Sequence, residues 1–197
     1  MLHYKTAEIG PYRDPAFFRE ALARLPWAEK RGRILRFLRE EDRMRGAAAW
    51  TLAADMLREE SIRDPELDYT EAGKPFLRRM PEQAMHFNLS HGGELVICAV
   101  SDRPVGADVE PLLPFERDLA EYAFSPAELQ WLENSPDPSL AFTRLWVRKE
   151  SYLKCLGTGL SYPLRELTLI PGRPEERGCL FIEKEIRGHR ISVCGLL

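Results

Sequence analysis

The spacing of apolar and polar positions changes period several times along the chain, and each change marks an element. Leu2 to Ile9 predicts a first strand, closed by Gly10-Pro11. From Asp14 to Ser61 the pattern is mostly helical: Leu35, Leu38 and Met44, then Ala48, Leu52, Met56 and Leu57, recur near helical spacing. Asp64 to Pro81, containing Asp64-Pro65 and Gly73-Lys74-Pro75, reads as loop with a short strand around Phe76 and Leu77. Met85, Phe87 and Leu89 then alternate, Gly92-Gly93 turns, and Leu95 to Val100 returns, which predicts a hairpin. Extended structure resumes from Val105 to Val109. Ser125, Pro126 and Glu128 predict a helix start with a cap, a first-position proline and a capping box. A second start at Asp137-Pro138 predicts a helix running to Leu156 and ending at Gly157. Leu164 to Ile170, Cys179 to Ile186 and His189 to Leu196 are expected as closing strands.

The stretch Ile97-Cys98-Ala99-Val100 is echoed by Val193-Cys194-Gly195-Leu196, each following a long helical pattern. The offset is about half the chain, compatible with a duplicated α/β unit and equally with chance. A length of 197 residues suits one large domain or two small ones. With 44% hydrophobic and 30% charged residues the chain is globular in composition rather than disordered. A net charge of −3 supplies no global basic field, which argues against nucleic acid or an anionic membrane as partner. Any polyanion must be held by a local basic cluster. Four cysteines, Cys98, Cys155, Cys179 and Cys194, show no C-x-x-C pair and no zinc-like spacing, so a reduced, cytoplasmic protein is expected. Met1 to Gly10 lacks the apolar stretch of a signal peptide. The longest apolar run, Leu95 to Val100, is too short to cross a bilayer.

Four constellations carry chemistry, and each has an ordinary alternative. Asp108 and Glu110 stand two apart on a predicted strand, hence on one face, where two carboxylates need a cation or donors between them. Oxygen ligands of this kind suit magnesium, although D-x-E also occurs on solvated strand edges. Glu150 and Lys154 stand one helical turn apart and offer a carboxylate beside a cation, or merely a surface pair contributing about 0.3–0.5 kcal/mol. Asn88-Leu89-Ser90-His91-Gly92-Gly93 places a hydroxyl and an imidazole near a glycine turn, suited to phosphate or to plain turn chemistry. Adjacent Ser90 and His91 would point to opposite faces, and no G-x-S-x-G elbow occurs, so a hydrolase dyad is disfavoured. The basic stretch from Lys30 to Arg45 is interleaved with Glu40, Glu41 and Asp42 and mostly predicts a solvated face, while Lys30 and Arg33, one turn apart, could clamp one phosphate. Lys74 alone is a cation in a constrained turn. Neither G-x-x-x-x-G-K-[ST] nor G-x-G-x-x-G occurs.

Taken in order, Gly73-Lys74-Pro75, Phe87 to His91, Val105 to Glu110, and Trp146, Lys149, Glu150, Ser151 and Lys154 resemble the signatures of Sfp-type 4′-phosphopantetheinyl transferases. The tail Gly157-Thr158-Gly159-Leu160 fits as well, and Glu29 to Arg45 looks like that family's N-terminal helix. The resemblance spans roughly residues 26 to 197 and is loose after Gly159. It implies an α/β (α+β) pseudo-dimer, with halves 1–104 and 105–197 and coenzyme A in the cleft between them. It implies Mg2+ among Asp108, Glu110 and Glu150, with Glu150 as general base and Lys154 steadying the leaving phosphate. Ser90 and His91 would hold phosphate groups, Lys30 and Arg33 the 3′-phosphate, and Lys74 would lie near the adenine. The partner would be an apo acyl or peptidyl carrier protein, whose serine is the nucleophile, docked against Pro114, Phe115, Tyr122 and Phe124; Phe124 reads better as core. Arg33 stands where lysine is common, and Gly46 where a hydroxyl residue is common, so one 3′-phosphate contact would be missing. A monomer is expected, because a pseudo-dimer needs no second chain. The alternatives are a non-catalytic coenzyme A- or carrier-binding module of the same fold and a magnesium-dependent phosphohydrolase. All three candidate metal carboxylates are in place, which gives no support to the first.

Overall fold

Asp14 opens the first helix by accepting from the backbone N–H groups of Ala16 and Phe17, both at 2.8 Å, with Pro15 in the first turn. In the computed structural model, which describes residues 1–78, 85–159 and 162–197, the predicted helical stretch is three helices. They are α1 (Pro15–Arg24), α2 (Ala28–Leu35) and α3 (Glu40–Glu59). Leu35 and Leu38, read as part of the helical stripe, are 56% and 97% exposed, because they fall at the end of α2 and in the turn after it. Met44, Ala48, Met56 and Leu57 do face the core.

Strand β1 (Leu2–Glu8) pairs antiparallel with β5 (Leu95–Ser101), which pairs on its other edge with β4 (His86–Gly92). The predicted loop before β4 holds two short strands, β2 (Glu66–Tyr69) and β3 (Pro75–Arg78), paired with each other. The end of that loop reading at Pro81 lies outside the described residues, as does Leu160 of the tail motif. Burial on both faces explains why β5 is apolar from Leu95 to Val100. Val96, Cys98 and Val100 face α3 and its core, which also holds Trp27, Met56 and Phe87. Leu95, Ile97 and Ala99 point the other way.

The second half repeats this plan. Strands β6 (Val105–Pro111), β9 (His189–Leu196), β8 (Cys179–Ile186) and β7 (Glu175–Glu176) form a sheet in that spatial order. Helix α6 (Pro138–Leu156) packs on it, capped by Asp137 and ended by Gly157 at φ 75°. Two short helices, α4 (Arg117–Ala123) and α5 (Pro126–Glu133), precede it, and α5 carries the predicted capping box in full. The echoed cysteines occupy matching places: Cys98 lies in the core under α3 and Cys194 in the core under α6. Between the halves, Leu95, Ile97 and Ala99 of β5 meet Val105, Ala107 and Val109 of β6 and Ile191 and Val193 of β9 in a separate apolar core. The fold is thus mixed α+β, a long helix on a small antiparallel sheet, made twice.

One expected strand is absent. Leu164–Glu166 is a 3-10 turn, and the residues after it are irregular. Leu167 and Leu169 alternate into the core, both fully buried, which mimics a strand in sequence. The backbone of this segment is held by side chains instead of a ladder: Lys149 Nζ donates to Leu164 O at 2.8 Å, and Leu169 N donates to Glu128 Oε1 at 2.8 Å. Phe124 is fully buried, whereas Tyr122 and Phe115 are 70% and 37% exposed. Among the described residues, no helix is long and apolar enough to cross a membrane.

Candidate active site

Strand β6 reaches the seam between the halves, and its alternation sends Val105, Ala107 and Val109 into the core and Asp108 and Glu110 to the opposite face. Two features bring other elements against that face. Asn88 Oδ1 of β4 accepts from Ala107 N at 2.9 Å, so a side chain ties β4 to β6 where no strand ladder joins them. Gly92 permits the tip of β4 to approach. A Cβ there would stand 2.3 Å from Val109 O and 2.8 Å from Glu110 Oε2.

On this frame Ser90, Asp108 and Lys154 converge. Lys154 Nζ donates to Asp108 Oδ1 at 2.6 Å and to Ser90 Oγ at 3.0 Å, and Ser90 Oγ donates to Asp108 Oδ1 at 2.8 Å. Glu150, one turn earlier on α6, has Oε2 at 4.0 Å from the same ammonium. Asp108 is buried, and its Oδ2 has no hydrogen-bond partner among the described residues. Burial, and then the neighbouring Asp108, push Glu110 up to about 7, against the opposing pull of Lys154. Burial likewise raises Glu150. Lys154 is raised: its own burial lowers it, but Asp108, Glu150 and Glu110 outweigh that. Three carboxylates therefore share one partly desolvated cleft with too few cations. An orphaned carboxylate oxygen and an all-oxygen donor set are what a hard divalent cation such as magnesium requires, and Asp108, Glu110 and Glu150 could hold it.

His91 sits exposed at the end of β4, and its pKa is lowered by partial desolvation and by the charges of Arg45 and Lys154. Arg45, which sequence reasoning placed only in a basic run, reaches over with Nε to Gly93 O at 2.9 Å and fixes the hairpin tip. Lys30 and Arg33 line a separate pocket of about 210 Å³ with Phe37, Trp50, Tyr69 and Leu89. There the Lys30 ammonium lies 4.3 Å from the Trp50 ring centroid and 4.4 Å from that of Tyr69. Gly46 is buried beneath this wall, and a Cβ would meet Ile34 and Phe37, each at 3.2 Å, so a hydroxyl there would press into them. Lys74 does not turn into that pocket. Its Nζ donates to Val105 O at 2.9 Å and Cys155 O at 3.1 Å, tying the β2–β3 hairpin to the second half.

Two charged residues beside the site stand in the motif around Glu150, and sequence reasoning assigned neither a role. Lys149 is buried, and its ammonium donates to Glu128 Oε2 and Ala123 O, both at 2.7 Å. Glu128 is at once the capping-box acid of α5, the partner of Leu169 N and the counter-ion of Lys149. Arg148 is fully buried, paired with Glu183 at 2.9 Å, and lies 3.8 Å over the Phe181 ring. Adjacent Arg148 and Lys149 thus brace α6 from two sides and leave Glu150 on the cleft side. The capping-box signal at Glu128 was legible; its pairing with Lys149 was not.

The comparisons with known proteins converge on one family. Residues 104–194 match the family model described as 4′-phosphopantetheinyl transferase superfamily, and residues 13–103 match that described as 4′-phosphopantetheinyl transferase, N-terminal. A 4′-phosphopantetheinyl transferase of Bacillus subtilis is 40% identical over 147 residues, 70% of this chain and 62% of that protein. The transferase gsp of Aneurinibacillus migulanus is 34% identical over 137 residues, 64% of this chain and 56% of that protein. The chain thus spans less than two thirds of the length of those two relatives. The transferase ffp of Bacillus subtilis is 33% identical over 182 residues, 88% of this chain and 79% of that protein. With a family model on each half and this last match spanning nearly both, the chain belongs to the Sfp-type 4′-phosphopantetheinyl transferase family.

Proposed function

We propose that this chain transfers the 4′-phosphopantetheine arm of coenzyme A to a serine hydroxyl of an apo carrier protein, releasing adenosine 3′,5′-bisphosphate. The observation that carries this reading is the convergence of Asp108, Glu110, Glu150, Ser90 and Lys154 on one cleft, with Asp108 Oδ2 unsatisfied. Asp108, Glu110 and Glu150 would hold Mg2+, which supplies neutralisation of pyrophosphate charge when bound. Glu150, raised by burial, is suited to take the proton from the carrier serine as its oxygen bonds to phosphorus. Lys154, held charged by its three acids, stands where charge builds on the leaving phosphate. Ser90 and His91 offer donors to the same phosphates. Transfer of this kind is mostly positioning and charge stabilisation, so these parts suffice without a nucleophile of the chain's own.

The pocket holding Lys30 and Arg33 fits the 3′-phosphate end of coenzyme A, because it joins two cations to the aromatic walls of Trp50 and Tyr69. Lys74 would serve this end through the hairpin it anchors rather than through its own ammonium. Residues 1–104 would then carry most coenzyme A contacts and residues 105–197 the metal and base. The carrier would dock near exposed Pro114, Phe115 and Tyr122, beside the metal strand. We further propose a monomer acting in the cytoplasm on carrier proteins, with neither nucleic acid nor membrane as partner.

Intact mass spectrometry of apo acyl and peptidyl carrier proteins incubated with this protein, coenzyme A and magnesium tests the reading. The expected result is a gain of one phosphopantetheine arm, lost with chelator and with Glu150→Gln. Coenzyme A binding with no transfer to any carrier would replace it with a binding module, and release of phosphopantetheine without carrier would replace it with a phosphohydrolase.

A further inference from the structure

Cys155 on α6, Cys179 at the start of β8 and Cys194 near the end of β9 are far apart in sequence, yet their three sulfurs lie within 4.8 Å of one another. The β8–β9 register explains two of them. Cys194 is paired with Phe181 and Cys179 with Leu196, so the two cysteines are diagonal neighbours on the face that α6 covers. Cys155, in the last turn of α6, brings the third sulfur down onto that face. All three residues are 2% exposed or less.

We propose that these three cysteines form a trigonal thiolate site for a thiophilic d10 divalent cation such as zinc, separate from the oxygen-lined cleft. The geometry is close to what such an ion needs. A trigonal metal about 2.3 Å from each sulfur sets the sulfurs about 4.0 Å apart, which side-chain rotations from the present spacing would supply. The donors are soft sulfurs, so the site selects against magnesium and the cleft carboxylates select for it. Binding releases three thiol protons and leaves a complex of net charge −1, which a buried site tolerates only beside a compensating cation. Lys74 is that cation. Its ammonium donates to the carbonyl oxygen of Cys155 at 3.1 Å and is electrostatically coupled to Cys155 and Cys194. Cys155 Sγ donates to Pro104 O at 3.1 Å, a bond its thiolate would give up on binding the metal. The site also gives Lys74 a role within the protein, consistent with its turning away from the Lys30 pocket.

The ordinary alternative is three small thiols packed as core, and cadmium titration separates the two. Reduced, chelator-treated protein is titrated with Cd(II) while ultraviolet sulfur-to-metal charge-transfer absorption is followed, and Zn(II) is then added as competitor. The expected result is a saturable band at one metal per chain, displaced by Zn(II) and unaffected by magnesium. In Cys194→Ala and Cys179→Ala the affinity should fall by more than the roughly 10–100-fold that loss of a merely supporting partner costs. Cys98→Ala, altered in the other core, should bind as the parent does. Circular dichroism establishes that each variant is folded, and the parent and Cys98→Ala, but neither cluster variant, should gain thermal stability with Zn(II). Absence of a saturable band in the parent, an equal band in both cluster variants, or loss of the band in Cys98→Ala would each overturn the proposal. So would a disulfide within the trio in freshly isolated, metal-free protein.

Discussion

Gly106→Ala would set β6 directly against the backbone of α6. A Cβ at Gly106 stands 2.0 Å from Ser151 O, 2.3 Å from Cys155 N and 2.9 Å from Lys154 C. Side-chain carbons do not approach backbone atoms closer than about 3 Å, so the strand and helix must separate by about 1 Å. Overpacking of this kind costs about 1–3 kcal/mol. Loss of glycine's freedom in the unfolded chain returns only about 0.4–1 kcal/mol, so the clash dominates. For a chain of this size, 1 kcal/mol moves Tm by about 2–4 °C, so a fall of several degrees is expected in thermal unfolding followed by circular dichroism. The effect on transfer should be larger, because α6 carries Glu150 and Lys154 while β6 carries Asp108, and the 2.6 Å contact between Lys154 and Asp108 spans the gap that opens. Misplacement by about 1 Å can cost about 100-fold in rate. Gly10→Ala, where a Cβ would meet nothing within 4 Å, is the matched control. A Gly106→Ala protein with unchanged Tm and unchanged carrier-loading rate would refute the seating of α6 on β6 and the reasoning built on it.

Three other outcomes are expected. Lys149→Met leaves the buried Glu128 carboxylate without its counter-ion and should lower unfolding stability in urea by about 3–5 kcal/mol, with part recovered in the double variant Glu128→Gln/Lys149→Met. Chelator-treated protein should lose stability as pH rises from about 4.5 to about 7, because Glu110, whose pKa is raised on folding, binds its proton more tightly in the folded state. Stabilisation by added magnesium, read as a Tm difference, should correspondingly grow across that interval; a flat difference would contradict the placing of Glu110 at the ion. Lys30→Ala should raise the KM for coenzyme A with little change in kcat, since the Lys30 pocket lies apart from the reacting cleft, and a kcat loss with unchanged KM would count against that division.

Local rules made much of this protein legible in its sequence. The helix starts at Ser125 and Asp137, the glycine stop at Gly157, the β4–β5 hairpin and the shared face of Asp108 and Glu110 follow from turn chemistry and from periods of two and 3.6, which involve only near neighbours. The ordered motifs likewise pointed to the family before any fold was in view. Tertiary structure decided what distant segments do to each other. Leu164 to Ile170 alternates like a strand, yet Lys149 and Glu128 take its backbone hydrogen bonds and leave it irregular. Lys74 sits in a motif expected beside the adenine, and its ammonium is drawn to two carbonyls of the other half. Cys155, Cys179 and Cys194 have no metal-like spacing and still meet, because α6, β8 and β9 stack there. Periodicity tells which face of an element a side chain takes; the partner it finds across the interface depends on how the elements pack, and that sets the pairing of every buried charge.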